Sequence, residues 1–145
     1  MSFLDHIFRP KKSVRNPSVD TSNATILGDY RAILNRLQEL LGDHGYLEQQ
    51  KIVEGALVTL GSDDEVFWGV VQGCGFWGGV GSVSDVEFGS TAPIGNRAAY
   101  QHQREKEALF ARLAKRLVAD GMHNPRIESL GEMYAESARK SGYRL

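Results

Sequence analysis

Ser62-Asp63-Asp64-Glu65-Val66-Phe67-Trp68-Gly69-Val70-Val71-Gln72 is the stretch on which the fold class turns. Its apolar part is β-branched and aromatic, so Val66 to Val71 can pair as a hairpin with Val83 to Phe88, an α+β alternative around residues 66–88. Its start argues the other way. Ser62 and Glu65 have the spacing of a capping box, in which Ser62 accepts from an early helix N–H and Glu65 reaches back. Asp63 and Asp64 then fall in the first turn, where carboxylates suit the positive end of the helix dipole. The cap selects a helix over about 63–72 that buries Val66, Phe67, Val70 and Val71, and it gives Asp63, Asp64 and Glu65 a structural role.

The neighbouring segments carry helical periodicity. Upstream, Ile33, Leu34, Leu37, Leu40 and Leu41 form one stripe of a helix over 29–41, with Gly42 placed to end it. Val53, Ala56, Leu57 and Leu60 form the next, with Gly61 as its terminator. Downstream, Asn96 caps a long helix with the stripe Leu109, Phe110, Leu113 and Leu117, and Gly121 follows its end. Asn124-Pro125 opens the last helix, since asparagine caps well and proline is tolerated at the first helical position. Ile127, Leu130, Tyr134 and Ala138 are its stripe. The expected fold is an all-α bundle of four to five helices, 28–145, with a glycine-rich loop between the third and fourth.

Residues 1–27 read as a flexible basic segment. Phe3, Leu4, Ile7 and Phe8 share a helical face ahead of Arg9, Lys11, Lys12 and Arg15, which suits a short docked turn or a membrane-surface anchor, and residues 11–25 have linker composition. The 145 residues are enough for one core without disulfide or metal, and the single cysteine, Cys74, reads as a small buried residue in a reducing compartment. No stretch has signal-peptide form or approaches the roughly 20 apolar residues of a membrane span. A cytoplasmic protein is the expectation.

Net charge is −1, but residues 28–90 carry three basic and ten acidic side chains, whereas 91–145 carry ten basic and six acidic. That pattern argues against a nucleic-acid partner, although Arg112, Lys115, Arg116 and Arg126 leave a DNA-associated regulator as one reading. The acidic half suits a basic protein surface.

Between the third and fourth helices, Gly73-Cys74-Gly75-Phe76-Trp77-Gly78-Gly79-Val80-Gly81-Ser82 holds five glycines in ten positions. Gly73, Gly75 and Gly78 match the spacing of a dinucleotide fingerprint, but no strand precedes them and Thr91 to Asn96 contains no acid. There is no Walker lysine and no nucleophile elbow. Close packing explains the run better: Phe76 and Trp77 plug the bundle, or Trp77 is displayed as a rigid aromatic anchor for a partner. Ser82-Val83-Ser84-Asp85 has the form of a second small cap, with Asp85 bonding back to loop amides. Trp68 reads as core. His6, His44, His102 and His123 are far apart in sequence and lack zinc-ligand spacing, and no carboxylate stands in an apolar run that would raise its pKa for acid–base work. No cofactor or metal is expected, and no catalytic residue is motivated.

Gly78-Gly79-Val80-Gly81-Ser82-Val83-Ser84-Asp85-Val86 resembles the Gly-Gly-x-Gly-Ser-x-x-Asp motif of a family of small uncharacterised bacterial helical proteins, which usually carry asparagine where Ser84 stands. The resemblance covers roughly residues 29–120. It implies a cytoplasmic helical protein similar to immunity proteins, which neutralise a secreted toxin by stoichiometric binding. On that implication the partner is a basic toxin domain, met by Trp77, Asp63, Asp64 and Glu65, with Gly78, Gly79, Gly81, Ser82 and Asp85 as structural or binding motif. An enzyme or small-ligand domain that cradles an anion on loop 73–85 is the alternative of a different class.

Overall fold

The computed structural model describes residues 23–88 and 97–145, and within them every regular element is helical. The order is α1 Ala24–Asp43, α2 Leu47–Thr59, α3 Asp64–Val71, the single turn α4 Cys74–Trp77, α5 Arg97–Ala119 and α6 Pro125–Lys140. The expected bundle is therefore found, and the hairpin alternative is not formed. The expected cap at Asn96 and the N-terminal anchor and link up to residue 22 lie outside the described residues.

The cap that selects helix over strand is displaced by one residue from its expected place. Asp63 is the N-cap, its carboxylate accepting from the Val66 N–H at 3.2 Å, while Ser62 donates to the Val58 carbonyl at 2.9 Å. An aspartate adds the favourable charge at the helix start that a serine lacks, which is why it takes the position. At the other end of α2, Gly61 holds φ +80° as expected. After α1 the left-handed residue is Gly45, at φ +78°, and not Gly42, so α1 runs on through Asp43. It also starts earlier than its periodicity indicated, at Ala24, because the Asn23 side chain accepts from the Thr25 and Ile26 N–H groups.

Packing follows the predicted stripes. Ile33, Leu34, Leu37, Leu40 and Leu41 of α1 and Leu109, Phe110, Leu113 and Leu117 of α5 are all buried. Tyr30, Phe67 and Trp68 meet edge-on with centroids 5.0–5.6 Å apart and join α1 to α3. A second aromatic group, Phe76, Trp77, Phe110 and Tyr134, joins α4 to α5 and α6. The α5–α6 pair is the most extensive. At Gly131 a Cβ would lie 2.5 Å from the Ala114 Cβ, so only glycine lets these two helices approach so closely.

Candidate functional site

The glycine-rich segment is braced from within and from three helices. Val83 and Ser84 donate their N–H groups to the Gly75 and Phe76 carbonyls at 2.9 Å, folding the second half of the segment back onto α4. Ser82 donates to the Gly78 carbonyl at 2.8 Å and accepts from the Asp85 N–H at 3.3 Å. Half of the expected second cap is thus present. The Asp85 carboxylate is exposed and takes no hydrogen bond among the described residues, so the reach-back to loop amides is not made. From outside, Gln49 of α2 donates to the Gly81 carbonyl, Tyr134 of α6 to the Ser84 carbonyl, and Arg126 to the Trp77 carbonyl.

Lys106 completes the bracing and was not visible in the sequence. It is 1% exposed, and its Nζ donates to the Ser84 carbonyl at 2.9 Å and to the Val86 carbonyl. Burial pulls its pKa down from 10.5 to about 8, with Glu107, Glu87 and Asp85 offsetting part of that. The unfolded chain keeps this proton until higher pH than the folded one, so between the two values the unfolded state holds more protons and stability rises with pH. Urea denaturation is expected to show a gain of about 2 kcal/mol from about pH 7 to about pH 9.5, lost again on acidification. Lys106→Met should flatten that slope, and an unchanged slope in the variant would assign it elsewhere. The window ends near pH 10 because Tyr30 and Tyr134, pushed up mainly by burial, favour the protonated folded state and remove stability above it.

The residues expected to meet a partner divide. Trp77 is 2% exposed, packs edge-on against Phe110 at 5.1 Å and donates from Nε1 to the Val71 carbonyl at 2.7 Å. Its role as a surface anchor is corrected to a core plug, since a buried indole with its one donor satisfied offers nothing to a partner. Trp68, 1% exposed, is core as expected. Asp63 and Glu65 are exposed and Asp64 is half-buried at the start of α3, which follows the end of α2 remote from the α1–α2 corner. Gly78 closes α4, where a Cβ would lie 2.4 Å from the Cys74 carbonyl oxygen. Gly79 and Gly81 are exposed at the tip, and Ser82 is buried. Cys74 is exposed, a correction to its expected burial: α4 turns Phe76 and Trp77 inward and leaves the thiol outside.

What the sequence reading missed is the patch formed by the loop tip and the α1–α2 corner. Tyr46 donates to the Glu87 carbonyl at 2.9 Å, Gln49 to that of Gly81, and His44 stacks on Phe88 at 4.3 Å, so residues 43–49 and 79–88 form one surface. Val80 at the tip is fully exposed, at 100%, in a turn closed by the Ser82 N–H to the Gly79 carbonyl. On the same two segments Asp43, Glu48, Asp85 and Glu87 are exposed, and none of them has an ion-pair partner among the described residues. The signal available in the sequence was the acidic bias of residues 28–90; its gathering at one corner depends on long-range contacts.

The cations are arranged differently. Arg116 binds Asp120 and Asp29, Arg112 donates to the Arg144 carbonyl and Arg126 to that of Trp77, which leaves only Lys115 of the four proposed for DNA without an internal partner among the described residues. Arg112, Lys115 and Arg116 line a cleft of about 500 Å³ between α1 and α5 that also holds Arg36 paired to Glu105, whereas Arg126 stands apart on α6. The anion cradle fares similarly: the Gly73 N–H goes to the Val70 carbonyl of α3, and those of Phe76, Trp77, Gly78 and of Ser82 to Val86 are spent inside the segment. His44 and His102, distant in sequence, meet at 2.8 Å between Nε2 and Nδ1, but among the described residues no group of three or more His, Cys, Asp or Glu is placed to hold a metal ion.

No protein-family model, curated protein or solved structure matches the chain. No helix among the described residues is long and apolar enough to cross a membrane.

Proposed function

We propose that this chain is a protein-binding protein that engages a basic partner through the acidic corner around Val80, and that it acts as an immunity protein, neutralising a secreted bacterial toxin in the cytoplasm by stoichiometric binding. The observation that supports this reading most is the fully exposed Val80 on a braced turn, accompanied by four exposed carboxylates that make no ion pair among the described residues. A rigid apolar tip loses little conformational freedom on docking, and exposed charges of one sign steer an oppositely charged surface toward it. Asp63 and Glu65, also exposed and acidic, stand at the start of α3, beyond the other end of α2, and add to the negative charge of this half of the chain. The resemblance of the Gly78–Val86 motif to small bacterial immunity-like proteins agrees with this reading.

The test is co-expression with the product of the adjacent gene. The wild-type chain should rescue growth and copurify with that product in equal stoichiometry; failure of both rejects the proposal. With the purified pair, Asp85→Lys combined with Glu87→Lys is expected to slow association about tenfold or more at low salt and to weaken its salt dependence. Val80→Asp should accelerate dissociation about tenfold while leaving thermal stability unchanged.

A further inference from the structure

The strongest feature left unused is the outer face of α2. Its inner face, Val53 and Ala56 with Gln49 and Ile52 toward the loop, lies against the body. On the opposite side Leu47, Lys51, Glu54 and Val58 recur at intervals of four, three and four, which at 3.6 residues per turn puts them on one narrow stripe. All four are exposed, Leu47 at 59% and Val58 at 69%. Lys51 and Glu54, three residues apart on one face, form no ion pair with each other or with any described residue.

The order apolar, basic, acidic, apolar reads as its own complement when reversed. Laid antiparallel on a copy of itself about a two-fold axis between Lys51 and Glu54, α2 sets Leu47 against Val58 of the second copy and Lys51 against its Glu54. Every contact then occurs twice, as an isologous interface requires. We infer that the chain forms a two-fold homodimer through antiparallel packing of α2 on α2. The apolar ends shield the central charges, and two copies of each Lys51 and Glu54 alternate in sign around the axis. Gly55 beside the stripe has open space where a Cβ would stand, which lets the second backbone come close. One pair of 13-residue helices makes an interface of the small, transient class below about 1,200 Å². Assembly is therefore expected at high protein concentration. Leu47 is flanked in sequence by residues of the Val80 corner but lies on the side of α2 opposite Gln49, so the stripe points away from the loop tip and the inference holds or fails independently of the proposed partner.

Sedimentation equilibrium of the full chain from micromolar to millimolar concentration reads it directly. The wild type should pass from monomer to dimer within that range. Lys51→Glu and Glu54→Lys should each weaken the dimer about tenfold, because two attractive pairs become two repulsive ones. The double variant K51E/E54K restores the pairing with its signs exchanged, and its dissociation constant should return to within about threefold of wild type. Leu47→Asp should leave only monomer. All four positions are exposed, so unchanged thermal melts confirm that the variants fold. A wild type that stays monomeric to millimolar concentration, a dimer indifferent to both single reversals, or a double variant no tighter than the singles would each overturn the inference.

Discussion

Asp120→Ala is expected to cost about 3–5 kcal/mol of stability, read as a shift in the urea midpoint at constant m-value. The Asp120 carboxylate is buried and accepts from the Tyr30 hydroxyl at 2.7 Å and from Arg116 Nε and Nη2 at 3.0 and 2.6 Å. Tyr30 is on α1 and Arg116 on α5, so this one side chain, just past the end of α5, ties together the two longest helices. Among the described residues, its removal leaves a fully buried phenol without an acceptor and a guanidinium with only Asp29, at 3.2 Å, to answer it. Tyr30→Phe removes one neutral donor and retains the ion pair, so it should cost only about 1 kcal/mol. A loss from Asp120→Ala no larger than that from Tyr30→Phe would mean that solvent replaces the carboxylate and that the lock is superficial.

Trp77→Ala should have a comparable cost, about 3–5 kcal/mol, from the cavity it opens between α4, α5 and α6 and from the orphaned Val71 carbonyl. Under the opposite assumption, that the indole is displayed, the same substitution would leave the melting temperature alone and abolish partner binding. Pairing it with Val80→Asp makes the distinction sharp. Trp77→Ala should unfold early yet bind with near-normal affinity wherever it remains folded, whereas Val80→Asp should melt like wild type and bind poorly. Exchange of these two outcomes would return the tryptophan to the surface.

The helices were legible because each burial stripe is written locally. Ile33 to Leu41 and Leu109 to Leu117 sit at helical spacing, and the terminators Gly61 and Gly121 take the left-handed conformation expected of them. Boundaries were legible only to within a few residues. Ser62 and Asp63 are both competent caps, and besides the charge that favours Asp63 the choice depends on the Ser62 hydroxyl finding the Val58 carbonyl, an interaction with the preceding helix. Gly42 and Gly45 posed the same ambiguity at the end of α1.

The site was less legible, for a different reason. Lys106 looks in sequence like any charged residue on a long helix, and only the return of loop 82–88 over α5 supplies the two carbonyls that accept its protons. Nothing near position 77 records that Val71 offers an acceptor to its indole. His44 and His102, 58 positions apart, were read as isolated, yet α1 and α5 bring their rings together. In each case the decisive partner lies on another element, so the residue type was informative and its surroundings were not.

The exposure of Cys74 has a practical consequence. It is the sole thiol in the chain, it stands on the outer side of the one-turn helix whose inner side carries Trp77, and it lies outside the core. A maleimide dye attached there needs no engineered cysteine and no removal of competing ones. Placed three residues from the indole, it would report by quenching whether the plug stays seated when a partner arrives.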